Sequence, residues 1–191
     1  MAQFVNRLKD SRRTQSDPLE PLDESARRRP VVEVLLNAID TEERYFFRQG
    51  TPNEPKKIFW AIDEGYTMIR DIGEGIALVD LRNLLYAGLT GNLSQSGTTG
   101  KFGAGFKAVF YYLQHPGDRI VIRSVKGDEA NRYEITKDSQ GNLEISYIPL
   151  TEFEKNRIGR GSEIEIFSSV IKKVPVIAEA KAALAYKDDA E

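Results

Sequence analysis

Glu33-Val34-Leu35-Leu36-Asn37-Ala38-Ile39-Asp40 is the stretch on which the reading of this chain turns. Val32, Leu35, Leu36 and Ile39 recur at i, i+3, i+4 and i+7. That spacing predicts an amphipathic helix reaching to about residue 48, with Pro30 in its first turn. Glu33, Asn37 and Asp40 share a second face of the same helix. At about 100° per residue, this polar stripe borders the apolar one instead of opposing it. Polar side chains at the margin of a core stand where a pocket wall would be.

Outward from the helix, residues 51–56 read as a loop. Lys57–Ile62 and Tyr66–Arg70 read as strands joined by a turn at Asp63-Glu64-Gly65. Phe59 and Trp60 are both expected in the core. Leu78–Tyr86 predicts a short helix. Phe106, Val109, Phe110 and Leu113 predict another, stopping at His115-Pro116-Gly117. Residues 119–125, 131–136, 143–148 and 163–167 read as a strand meander, and 174–186 as a terminal helix. This order predicts an α+β fold, a two-layer sandwich of a mixed, mostly antiparallel sheet with helices on one face. Residues 1–29 are polar, contain Pro18 and Pro21 and end in Arg27-Arg28-Arg29. They are expected to form a flexible arm ahead of one domain over 30–191.

Composition narrows the function. A chain of 191 residues fits one domain with a real core, and a formal net charge of -2 builds no field for nucleic acid. No cysteine is present, which excludes a disulfide scaffold and thiolate chemistry. One histidine makes a zinc site or a Ser-His-Asp triad a poor fit. No apolar run approaches the roughly 18 residues of a membrane span, and the start lacks an apolar leader, so a cytoplasmic protein without membrane contact is expected.

Two further stretches carry chemistry. Asp71-Ile72-Gly73-Glu74-Gly75-Ile76 places a carboxylate beside two glycines directly after a strand. An ionised carboxylate only accepts hydrogen bonds, which suits the amino group of adenine, and the glycines permit close approach of a ligand. Gly100-Lys101-Phe102-Gly103-Ala104-Gly105-Phe106-Lys107 leads into a helix. Free N–H groups at a helix start attract phosphate, and the small residues of 88–102 suit a mobile lid. On the first helix, the Asn37 carbonyl offers Mg²⁺ a neutral oxygen, and Glu33 offers a base for water. Each pattern alone also fits ordinary surface structure. No G-x-x-x-x-G-K-[ST] is present, so this is not a P-loop protein. Gly103–Ala108 does not follow a strand, as a dinucleotide fingerprint would.

In this order and spacing the motifs resemble the ATP-binding domain of the GHKL superfamily, which includes DNA gyrase, the ninety-kilodalton heat-shock chaperone, histidine kinases and MutL. Glu33…Asn37-Ala38…Asp40 resembles the N-box, Asp71-Ile-Gly73-Glu-Gly75 the D-x-G-x-G motif, Gly100–Gly105 the G-x-x-G-x-G motif and Gly161-Ser162-Glu163-Ile164 the later G-T-x-I element. The resemblance covers roughly residues 28–168 and looks most like the chaperone, sacsin-like and MORC branches. It implies a Bergerat-type fold, ATP and Mg²⁺ as ligands, and Asn37 on the metal and phosphates. Asp71 would take the adenine amino group, with Asp40, Gly73, Gly75 and Ile76 around it and Ser162 supporting it. Gly100, Lys101, Phe102, Gly103, Ala104, Gly105 and Phe106 would cover the phosphates. Glu33 matches the general base of the hydrolytic branches, so slow ATP hydrolysis coupled to dimerisation or a protein partner is implied. A non-hydrolysing ATP switch in a larger assembly is the alternative. Ile72 replaces the frequent Asn of that turn, and Ser162 replaces Thr while keeping a hydroxyl.

Overall fold

The computed structural model describes residues 4–7, 29–55, 57–81, 109–173, 176–178, 180 and 181. Helix α1 spans Arg29–Arg48. Its apolar stripe is Val31, Val34, Leu35 and Ala38, none more than 5% exposed. β2 (Phe59–Asp63) and β3 (Tyr66–Arg70) form the expected hairpin about Gly65, whose φ of 74° requires glycine there. Strands β4 (Arg119–Lys126), β5 (Glu129–Lys137) and β6 (Leu143–Pro149) form the expected meander, and β7 (Gly161–Phe167) is a strand where expected but lies elsewhere in the sheet. Residues 78–81 are helical, Val109–Tyr112 form a 3-10 turn, and the described residues of 173–181 are helical.

The protein is therefore α+β. Among the described residues, seven strands, β1 (Phe4–Arg7) included, make one sheet in the order β1-β6-β5-β4-β7-β3-β2, and every pairing is antiparallel where a mixed sheet was expected. Residues 4–7, within the stretch expected as a flexible arm, form the edge strand β1 against β6. The remainder of that arm, ahead of Arg29, lies outside the described residues. β7 does not extend the meander at its edge. It inserts between β4 and β3, with Ile164 opposite both Ile69 and Ile122.

Alternation along the strands divides the sheet. Ile69, Ile120, Ile122, Tyr133, Ile135, Ile164 and Ile166 share one face and join Val31, Val34, Leu35 and Ala38 of α1 in a single core. Each large aliphatic side chain there contributes about 2 kcal/mol by leaving water. Phe59 and Trp60 are neighbours on a strand and cannot share a face. Trp60 packs on the core and its Nε1 donates to Thr67 Oγ1 at 3.0 Å, whereas Phe59 is half exposed beneath the Arg70 guanidinium.

A short helix that periodicity did not predict, α2 (Glu152–Ile158), reaches the opposite face. Its start is a capping box: Glu154 N–H donates to Thr151 Oγ1 and Thr151 N–H donates to Glu154 Oε2. Arg157 of α2 holds Glu163 of β7 through both terminal nitrogens, and Arg123 joins Glu163 at 3.2 Å and also binds Glu165. Burial favours the neutral form of Glu163. The hydrogen bond from Arg157 and the charges of Arg157 and Arg123 outweigh it and hold the carboxyl below its ordinary range.

Candidate functional site

Asp71 follows β3 on the core side, in step with Thr67 and Ile69, and is 5% exposed. Its N–H donates to the Ser162 carbonyl at 2.9 Å, so the inserted β7 anchors the start of the turn. Gly73 N–H donates to Asp71 Oδ1 at 2.8 Å. Ile72 N–H donates to Glu42 Oε1, and Ile76 N–H to Ser124 Oγ. The turn is thus pinned by side chains from α1 and β4 as well as by its own aspartate.

Close backbone approach explains the glycines. A Cβ on Gly73 would lie 2.4 Å from Thr41 Cγ2, so the turn sits directly on α1. A Cβ on Gly75, where φ is 76°, would lie 2.3 Å from the Val125 carbonyl oxygen. The Asp71 turn and the helix face bearing Asn37, Asp40 and Thr41 are thereby brought together. Thr41 Oγ1 donates back to the Asn37 carbonyl at 2.8 Å. Asn37 Nδ2 is buried and has no hydrogen-bond partner among the described residues. Glu33 lies one turn earlier on α1 and is part-buried.

Burial pushes the Asp71 carboxyl up to about 7. The Gly73 and Ser162 N–H groups oppose the shift, and the nearby Glu42 carboxylate adds to it. Glu42 has no exposed surface and accepts from Ile72 N–H at 2.8 Å and Lys57 N–H at 2.7 Å. Ser162 is 2% exposed and meets Asp71 through its backbone, while its hydroxyl lies 3.2 Å from Ser124 Oγ. Ser124 Oγ also donates to the Gly161 carbonyl. Arg160 Nε donates to the Ile72 carbonyl at 2.7 Å, and its guanidinium lies 3.6 Å from the centre of the Tyr45 ring.

Gly100, Lys101, Phe102, Gly103, Ala104, Gly105 and Phe106 lie outside the described residues. Glu42, Ser124 and Arg160 are additions to the expected set. Glu42 had a legible signal, since it continues the stripe Val31, Leu35, Ala38 as a charge where an apolar residue belongs. Ser124 and Arg160 had none.

No group of three or more His, Asp or Glu among the described residues could hold a metal ion. A Mg²⁺ ion carried by nucleotide phosphates would need only one or two protein oxygens, and the Asn37 side-chain amide, whose Nδ2 has no partner among the described residues, could offer one. An open basin of about 670 Å³ lies on the opposite face of the sheet, lined by Tyr66, Met68, Arg123, Phe153 and Arg157 among others, and includes none of these site residues. No helix among the described residues is long and apolar enough to cross a membrane. Compared with known proteins, the chain matches no family model and no curated relative.

Proposed function

We propose that this chain is a Bergerat-type ATP-binding domain that hydrolyses Mg·ATP slowly. One observation carries the reading. A buried acceptor, Asp71, and a buried donor without a partner among the described residues, Asn37 Nδ2, lie on two elements in close contact where Gly73 meets Thr41. A buried amide donor left unsatisfied costs about 1–3 kcal/mol, and a ligand oxygen accepting from Asn37 Nδ2 would remove that cost.

In this reading the Asp71 carboxylate accepts from the adenine amino group. Asn37 Nδ2 donates to a phosphate oxygen, and Asn37 Oδ1 is the protein ligand of Mg²⁺. The metal, when bound, neutralises phosphate charge. Glu33 takes a proton from water as the water oxygen bonds to the terminal phosphorus. The bond from that phosphorus to its bridging oxygen breaks, giving ADP and inorganic phosphate. Nucleotide state would then be passed to a second copy or to a protein partner, in a cytoplasmic setting.

Phosphate release from Mg·ATP, run beside Glu33→Ala, tests the assignment. The variant is expected to bind ATP with wild-type affinity and to lose turnover by about 10²-fold or more. Equal turnover in both proteins removes Glu33 as the base. Binding without turnover in the wild type leaves the non-hydrolysing switch, and no binding ends the nucleotide reading.

A further inference from the structure

Glu42 has no role in the chemistry above, yet it is a charged side chain of α1 with no exposed surface. Its two oxygens serve different segments. Oε1 accepts from Ile72 N–H at 2.8 Å and Oε2 accepts from Lys57 N–H at 2.7 Å. Two backbone donors converging on one side chain call for an acceptor at both positions, which an ionised carboxylate supplies and an amide does not.

The Ile72 peptide is held from both ends. Glu42 takes its N–H, and Arg160 Nε donates to its carbonyl at 2.7 Å. Arg160 is itself seated on α1, stacked over Tyr45 and donating to Tyr45 Oη at 2.6 Å. Both restraints on Ile72 therefore lead back to the helix that carries Asn37. Asp71 immediately precedes Ile72, so the same restraints set where its carboxylate lies relative to that helix.

We propose that Glu42 is a positioning residue of the nucleotide site, fixing the Ile72 backbone and through it the Asp71 carboxylate against the Asn37 face of α1. This rests on the ATP reading above. Glu42 acts through Asp71 and does not touch the ligand. Around the pair, α1 presents Glu42 and Tyr45, and the segment before β7 presents Arg160. Lys57 contributes its backbone, and Ser162 and Ser124 are neutral. The charge of Glu42 has a second consequence, because it strengthens the hold of Asp71 on a proton. ATP affinity should fall as pH drops through the range where Asp71 protonates, and Glu42 helps set where that fall begins.

The test combines calorimetric titration with Mg·ATP between about pH 6 and pH 8.5 with amide hydrogen exchange of the ligand-free protein. Glu42→Gln turns one acceptor into a donor facing a backbone N–H. It is expected to weaken ATP about tenfold at pH 8. It should also move the acid fall in affinity to lower pH and speed exchange at Ile72 and Gly73. Glu42→Asp keeps the charge but shortens the reach, so it should weaken ATP and leave the acid fall in place. A residue of merely structural worth would lower the melting temperature and leave the pH profile unmoved.

Wild-type affinity and an unmoved acid fall in Glu42→Gln overturn the proposal. If the wild-type protein binds no ATP, the nucleotide reading fails, and the exchange rates decide about Glu42 on their own. Unchanged protection at Ile72 and Gly73 in Glu42→Gln then rejects the positioning role. If Glu42→Gln does not fold, Glu42→Asp carries the test, and wild-type affinity and protection in that variant reject it.

Discussion

Asp71→Asn is expected to melt on the order of 10 °C above the wild type at pH 8 while losing about 10²-fold in affinity for ATP. The stability arm follows from burial. The folded-state carboxyl is pushed up to about 7 from an ordinary 3.8, chiefly by desolvation and partly by Glu42. A folded state that holds its proton more tightly than the unfolded chain binds more protons between those two values. The contribution of Asp71 to stability is therefore complete below about pH 4 and is lost as pH rises towards 7. Above that range the buried charge costs about 4 kcal/mol, which a neutral asparagine avoids. The amide oxygen of the substituted side chain can still accept from Gly73 N–H, so the turn keeps its internal bond.

The affinity arm follows from donor and acceptor identity. With its oxygen engaged by Gly73, the new amide would face the adenine amino group with a second donor. Thermal melts of both proteins from about pH 5 to pH 8.5, with ATP titrations at the upper end, separate the arms. A variant less stable than wild type at pH 8 contradicts the buried charge. A stabilised variant with undiminished affinity removes the adenine contact and leaves the burial intact.

Gly161→Ala is expected to destabilise the protein by more than about 4 kcal/mol, enough to leave little folded material at 37 °C. Gly161 has a φ of 92°, and its absent side chain is where the Asp71 backbone passes. An added Cβ would lie 2.3 Å from the Asp71 carbonyl oxygen and 2.8 Å from Ile72 Cα. Those neighbours are backbone, and they cannot yield while Ile72 is held by Glu42 and Arg160. Gly159→Ala is the matched control. Gly159 has a φ of 69° but nothing within 4 Å, so it should cost only the strain of a side chain in that backbone conformation, about 1–3 kcal/mol. Urea denaturation of the two variants measures the difference. Equal losses would show that the β7 and Asp71 backbones do not approach this closely.

Much of this framework could be read along the chain, for reasons that are local. α1 announced itself through apolar spacing, and the β2–β3 hairpin through two strand-like runs about Gly65. The capping box Thr151-x-x-Glu154 was also present to be read, and α2 went unpredicted because its seven residues are too few for periodicity to register. Phe59 and Trp60 were both expected in the core on residue type, and alternation, which puts only Trp60 on the core face, overrode that for Phe59. β1 was illegible, since four residues of a polar segment become a strand only when β6 supplies a partner.

The site divides along the same line. The acidic and glycine residues of the Asp71 turn and the polar stripe of α1 stand out because spacing and residue type express them within a few residues. Contact between them was decided in three dimensions. β7 enters between β4 and β3 and so delivers Ser162 to Asp71 and Gly161 to the Asp71–Ile72 backbone. Ser124 meets Gly161 and Ser162 through that insertion, Arg160 meets Ile72 and Tyr45 just ahead of it, and Glu42 meets Ile72 and Lys57 where α1 passes them. Side-chain periodicity and turn chemistry act over one or two turns of chain, and these the amino-acid sequence determined. Strand order, the perturbed proton affinity of Asp71 and the burial of the Asn37 amide nitrogen depend on which distant surfaces exclude water from one another, and only the tertiary structure decided those.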